Sequence, residues 1–556
     1  MHEEQRRGLL RVLAPTLGAA VVLAGAFLLA PRMGTDLAAQ QARADFFAGH
    51  GWAPVDFGWY GGVGQFGYSL LTAPLGSLIG MRVLGALAAV VASVLFGWLL
   101  WRTGVRRPVV GALVGALVFA ANLASGRVTF AVGLALAVAA LCAAADAPPS
   151  PAEPGAGPAD AVEAAKGEEK EPAGPGRRWR IVAVFVLGAL ATWASPVAGL
   201  FAGLAGAALL LTGPVRSGLR SWRPDPHWPQ ALALCLGPVL ALAPMALLFG
   251  NGGRQPFTAE SMKIHVALAV LVAVVVPPRW LAVRIGAALT VVLLLGAFYL
   301  PSPIGSNALR LPMLFTIPVL GALVAFGRVR LALLLVAVFW WQPFVVTGDL
   351  GRAGSPESRP AFHQPLVDEL ARREPGRVEV VPLRDHWESV YAAAQVPLAR
   401  GWERQVDTDR NALFYRDVMS PQDYVAWLRA NAVTYVAIAP GAVPDRYART
   451  ESALVLNGLP ELRPVWQNDT WRLYEVTDAT PLVSAPAELA RSDRGGVTVR
   501  VPARADVLVR VHWSRWLSVQ QPGACLASGP DGWTELRVTT PGEFRLTSSL
   551  RPGPAC

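Results

Sequence analysis

Apolar runs recur from the N-terminus to residue 347, each close to the length that crosses a ~30 Å hydrocarbon layer and each ended by a short polar break. They predict roughly eleven membrane helices, at 9–30, 82–101, 108–124, 127–146, 180–194, 196–213, 229–249, 264–277, 281–300, 308–326 and 329–346. The first run follows Arg6 and Arg7 as a signal peptide would, but it is long and Ala30-Pro31-Arg32 is a poor cleavage site, so it reads as an uncleaved span. The stretch 180–213 breaks at Trp193-Ala194-Ser195-Pro196. Two helices joined by a tight turn are expected there, with one kinked helix as the alternative.

Two segments of the membrane part, 1–347, do not follow this pattern. Residues 147–178 are rich in Pro, Ala, Gly, Glu and Lys without apolar periodicity, which predicts a disordered cytoplasmic linker. Residues 31–80 form a long first loop holding Phe46, Phe47, Trp52, Phe57, Trp59, Tyr60, Phe66 and Tyr68, a composition that suits the membrane interface. Beyond 347 the chain reads as soluble protein. Strand-like Arg377–Pro382 and Thr434–Ile438 flank a helical pattern at 420–431, so 348–480 is expected to be an α/β domain. Alternation in Val497–Val501, Val507–His512 and Thr534–Thr539 predicts a β-sandwich over 481–556.

Composition agrees with this division: 53% of the 556 residues are hydrophobic, above the soluble norm of roughly 45–50%. The net charge of +10 does not indicate nucleic acid, because the arginines sit in short loops between apolar runs. Arg6, Arg7 and Arg11, then Arg102, Arg106 and Arg107, Arg177, Arg178 and Arg180, Arg216, Arg220 and Arg223, Arg279, and Arg328 and Arg330 fall on alternate loops. The N-terminus is therefore expected in the cytoplasm of a cell membrane and the region after 347 outside the cell. Cys142 and Cys235 lie in apolar runs as small hydrophobes. Cys525 and Cys556 share the last segment, and whether they pair is open.

The polar residues of the first loop crowd the membrane edge. Asp36, directly after the first span, is placed to take a proton from an incoming hydroxyl, with Asp45 and Asp56 as substitutes. The competing role for Asp36 is to cap a helix beginning at Leu37. Gln40 and Tyr60 complete the loop's candidates. Arg310, preceded by Asn307 at a helix start, suits paired phosphate oxygens; a lysine-like snorkel to the interface is the other reading. Arg254, Lys263 and His265 either complete that site or are solvated loop charges. His386-Trp387-Glu388 and Arg400-Gly401-Trp402-Glu403-Arg404 combine charge with aromatic faces in the manner of sugar-binding surfaces. No zinc spacing, phosphate-binding Gly-Lys-Ser/Thr loop or serine elbow occurs, so no cofactor is expected and a divalent metal is unsupported.

Gly34-Thr35-Asp36-Leu37, Trp59-Tyr60-Gly61-Gly62, Gly67-Tyr68-Ser69 and Pro397–Trp402, set in this arrangement of spans, resemble the GT-C superfamily of polytopic glycosyltransferases. Among its members the chain is most similar to uncharacterised bacterial proteins of YfhO-like or 6-pyruvoyl-tetrahydropterin-synthase-related membrane architecture, and Val507–Trp516 resembles the β-rich tail of the former. The resemblance implies transfer of a sugar from a polyprenyl-phosphate donor to an extracytoplasmic glycan or lipid acceptor, with Asp36 as base and basic residues holding the phosphate. Where related patterns carry a histidine a few residues after the Asp, this chain has Gln40. A multi-pass transporter or lipid-linked flippase is the rival reading, though no two-halves repeat and almost no mid-span charge accompany it.

Overall fold

A computed structural model describes residues 3–145, 175–217, 227–250, 252–341, 345–551, 553 and 556. Among these, six helices are long and apolar enough to cross a membrane: Glu3–Leu29, Met81–Arg102, Pro196–Arg216, Trp228–Phe249, Pro278–Tyr299 and Gly305–Leu323. Two shorter apolar helices, Pro108–Ala124 and Val128–Ala144, pack among them. The roughly eleven spans expected from the apolar runs exceed this number. Ala259–Val275 and Arg328–Trp341 are too short to qualify, and Pro175–Ala194 opens on Arg177, Arg178 and Arg180. Proline at the second helix start, with Ser195 between, separates Pro175–Ala194 from Pro196–Ser217, so the run 180–213 is two helices.

The bundle turns its apolar side chains outward as well as inward. Leu247, Val274, Val292 and Leu333 are exposed on its flanks, a surface stable only against lipid. Inside, small residues allow close helix contacts: a side chain on Gly237 would meet the Phe185 carbonyl at 2.4 Å. The linker expected over 147–178 falls outside the described residues as far as 174, and its last four residues already belong to the Pro175–Ala194 helix.

The first loop is folded. Helices Leu37–His50 and Thr72–Ile79 enclose a two-stranded ribbon, β1 (Val55–Asp56) with β2 (Val63–Gly64). Trp59 and Phe57 are buried beneath the C-terminal region. That region has two layers. In the first, β3 (Arg377–Val380) runs parallel to β4 (Val433–Ile438), and β6 (Arg472–Val476) and β5 (Leu462–Gln467) extend the sheet antiparallel in the order β3-β4-β6-β5.

In the second layer, two antiparallel sheets face each other. One orders β10 (Leu517–Val519), β13 (Gly542–Ser548), β8 (Gly496–Val501) and β7 (Glu488–Asp493); the other orders β11 (Ala524–Ser528), β12 (Trp533–Val538) and β9 (Ala505–His512). Val497, Val499, Val501, Val507, Val509 and Val511 fill the space between them, as period-two alternation requires. Cys525 and Cys556 are disulfide-bonded, with Cα atoms 5.2 Å apart.

Both layers sit on the first loop and on one end of the bundle. Trp59 Nε1 donates to the Ser389 carbonyl (3.1 Å), Leu398 N to the Gly58 carbonyl (2.9 Å) and Trp516 Nε1 to the Leu248 carbonyl (2.9 Å).

Candidate functional site

The site begins with two glycines. Gly34 (φ +92°) and Gly126 (φ +76°) let the start of the first loop press against the turn Ser125-Gly126-Arg127 between the Pro108–Ala124 and Val128–Ala144 helices. A Cβ on Gly34 would lie 2.4 Å from the Gly126 nitrogen, and one on Gly126 would lie 2.4 Å from the Leu37 nitrogen. At this approach the Asp36 N–H donates to the Ser125 carbonyl (3.3 Å). Gln40 fastens the same contact: its amide donates to the carbonyls of Asp36 (2.9 Å) and Gly126 (2.5 Å) and accepts from Thr129 N (2.6 Å) and Oγ1 (2.8 Å). Gln40 is 2% exposed, so the expected substrate group is a buried brace.

Asp36 stands at the N-cap position of Leu37–His50, yet its side chain makes no capping hydrogen bond. Its Oδ2 lies 3.3 Å from Arg127 Nε and 3.5 Å from Arg310 Nη2, while the side chain keeps 27% exposure. The capping alternative is thus not what the structure contains. A 3-10 turn, Gly305–Leu309, leads into the Arg310–Leu323 helix and sets Arg310 at its first position, with the guanidinium 5.2 Å from the Phe130 ring centre. Each arginine turns only one nitrogen to Asp36 at these distances. Their other donors suit a second anion at a helix N-terminus.

Tyr68 joins this group. Burial raises its phenol pKa, with the Asp36 charge adding to the rise and Arg310 and Arg43 opposing it. The Arg43 guanidinium lies 4.5 Å from the Tyr68 ring centre and pairs with Glu403 at 2.5 Å. Reasoning from sequence missed Arg127 and Tyr68 as site residues. Arg127 had a legible signal, a single cation at the start of an apolar run after a break of two residues.

The other candidates lie elsewhere. Asp45 is exposed, its carboxylate accepting from Gln41 at 2.8 Å. Asp56 is fully buried and held by Arg494 and the Gly58 N–H, which seals it from any substrate. Tyr60, also buried, donates to the Gly401 carbonyl (2.8 Å) and accepts from Glu403 N (3.1 Å), latching the loop to the C-terminal region. Asn307 is half-buried in the turn before Arg310. Arg254 and Lys263 are exposed; His265 is buried, its Nδ1 2.7 Å from the Ser261 carbonyl.

The expected sugar-binding surface is not a surface. His386 stacks on Trp402 with ring centres 3.5 Å apart and reaches Glu388 (3.3 Å) and Asp445 (3.6 Å). Arg400 pairs with Glu379 (2.6 Å) and with Glu451. Each buried charge has a partner of opposite sign, so these aromatic and charged residues pack inward together. Among the described residues no three His, Cys, Asp or Glu side chains converge as metal ligands.

A partly open apolar groove of about 300 Å³ lies between Val128–Ala144, Pro196–Ser217, Ala259–Val275, Leu281–Tyr299 and Arg310–Leu323. Leu311, Phe201, Val272, Thr290, Phe315 and Val319 line it.

Residues 484–556 match a family described as a domain of unknown function (DUF8823). No curated protein matches the chain. Among solved structures it is similar to the arabinofuranosyltransferase AftD from Mycobacteria, at 17% identity and TM-score 0.45, over 89% of this chain and 41% of that one. It is similar to the Archaeoglobus fulgidus oligosaccharyltransferase tethered with an acceptor peptide, at 12% identity and TM-score 0.41, over 78% and 69%. ArnT from Cupriavidus metallidurans bound to undecaprenyl phosphate is similar at 12% identity and TM-score 0.35, over 84% and 98%. The chain spans less than half the length of AftD.

Proposed function

We propose that this protein is a membrane glycosyltransferase of the GT-C type that moves a sugar from a polyprenyl-phosphate donor to an extracytoplasmic acceptor of the cell envelope. The observation that carries this reading is the Asp36 carboxylate, released from capping and flanked by Arg127 and Arg310, with Leu311, the residue after Arg310, lining the apolar groove. A prenyl chain fits a groove of that chemistry and leaves its phosphate beside the two guanidiniums.

In the reaction, Asp36 takes the proton of an acceptor hydroxyl as that oxygen forms its bond to the sugar's anomeric carbon. The bond from that carbon to the phosphate oxygen breaks, and the phosphate keeps the electron pair. Arg127 and Arg310 offset the charge that develops on it. With Asp45 turned to solvent and Asp56 sealed by Arg494, Asp36 is the base. The loop arginines and the Cys525–Cys556 disulfide support an external location for this face, since disulfides persist in oxidising compartments.

The test is reconstitution with a polyprenyl-phosphate sugar and measurement of released lipid phosphate. Asp36→Asn is expected to lower release by about 10²–10⁴-fold. Release unaffected by the substitution overturns the assignment, and passage of labelled solute across sealed vesicles without transfer favours a carrier instead.

A further inference from the structure

The helix Val345–Gly351 packs against Pro108–Ala124 and carries Asp349, which is 2% exposed. One Asp349 oxygen accepts from Arg352 at 2.5 Å, and the same guanidinium donates through Nε to Asp385 at 2.8 Å. A single cation is thus divided between two carboxylates. The other Asp349 oxygen is buried and makes no hydrogen bond of good geometry; the hydroxyl of Ser125 is in the same condition. Ser125 is the residue whose carbonyl holds the Asp36 N–H, two positions before Arg127.

We propose that Asp349 is a positioning residue for the anion site, holding a proton while the phosphate is bound and weakening the grip of Arg127 when it gives that proton up. The inference rests on the glycosyltransferase reading.

Its basis is the charge facing this carboxyl from each element packed around it. Arg352 acts from its own segment and holds Asp385 of the C-terminal region; Ser125, Arg127 and Asp36 act from the membrane rim. Arg310 completes the group through Asp36. With every group ionised, Asp36, Asp349 and Asp385 balance Arg127, Arg310 and Arg352, and an arriving phosphodiester would leave one negative charge in excess. With Asp349 protonated, the same phosphodiester brings the group to neutrality. Burial raises the Asp349 pKa; Ser125, Arg352 and Arg127 oppose the rise and Asp36 reinforces it. The proton is therefore kept at low pH and lost as pH climbs through the raised value.

The experiment measures binding rather than turnover. The full chain in nanodiscs is titrated with a polyprenyl phosphodiester sugar, whose single charge is constant from about pH 5 to 9. Wild-type affinity is expected to fall about tenfold as pH rises, from one added charge near the site. Asp349→Asn, which cannot ionise, is expected to keep its low-pH affinity throughout. If that variant does not fold, Arg352→Gln gives the test from the other side: without the opposing cation the proton is held longer and the fall moves to higher pH. Binding whose pH dependence is the same in the wild type and in a folded variant overturns the role of Asp349. Absence of binding at every pH overturns the glycosyltransferase reading and this inference with it.

Discussion

Trp402 donates its indole N–H to the Thr35 carbonyl across 2.7 Å, one residue before Asp36. The same indole stacks on His386, so one ring lies between a buried acid–base group of the C-terminal region and the backbone that carries the proposed base. The loop that presents Asp36 is consequently held from two sides, by the Ser125–Arg127 turn and by this indole.

Trp402→Phe keeps an aromatic ring and removes the donor. A net hydrogen bond of this kind contributes about 0.5–1.5 kcal/mol, so a several-fold fall in kcat is expected with donor KM little changed. Steady-state transfer assays read both quantities. An unchanged kcat would show that the loop does not need this hold.

Arg310→Lys preserves charge but loses the planar fork that reaches Asp36 and, in the proposed reaction, the donor phosphate. Donor KM is expected to rise by roughly tenfold. A KM unchanged in Arg310→Lys but raised in Arg310→Ala would mean that charge alone matters.

Asp56 and Arg494 form a buried pair, 0% and 7% exposed at their side chains. Removing one partner strands the other, at a cost of about 3–5 kcal/mol. Asp56→Ala is expected to lower the melting temperature strongly, and the Asp56→Ala/Arg494→Met double variant to lower it by less than the two single losses together. Turnover per folded molecule should persist, because Asp56 anchors β1 and does not meet substrate.

His386 gives stability a pH dependence. Burial pulls its pKa down, but Asp445 and Glu388 outweigh burial and the net shift is upward. The folded state thus binds this proton more tightly than the unfolded state does. The stabilisation is complete below the unfolded value of about 6.5 and is lost as pH rises through the raised folded value. Melting of the protein should therefore fall over that window, and His386→Gln should flatten the fall. Differential scanning fluorimetry across pH 5.5–9 would measure it; an equal slope in the variant would assign the dependence to other groups.

Much of the fold was legible in the sequence because the forces that set it act locally. An apolar run of membrane length becomes a helix wherever it is placed, since its backbone must satisfy itself. Pro196 ends one helix and starts another by its own ring geometry. The alternation at 497–501, 507–512 and 534–539 reappears as β8, β9 and β12 because strand side chains face two sides in turn. The span number was less legible: length and hydropathy do not separate a membrane helix from a short apolar helix packed beside one.

The candidate site was legible only at single points. Asp36 and Arg310 stood out by their places at span ends, but nothing in the sequence said that they meet across 274 residues, or that Arg127, 91 residues from Asp36, would join them. Those distances depend on Gly34 and Gly126 bringing two backbones together, which is a property of the packed pair. Packing also turned Asp45 to solvent, closed Asp56 beneath Arg494, turned His386 and Arg400 inward, and set the helix of Asp349 against Pro108–Ala124. The sequence by itself determined which segments are apolar helices and which residues can carry charge. Which charges face one another was decided by the tertiary structure, because a pair's energy depends on distance and burial that no single segment contains.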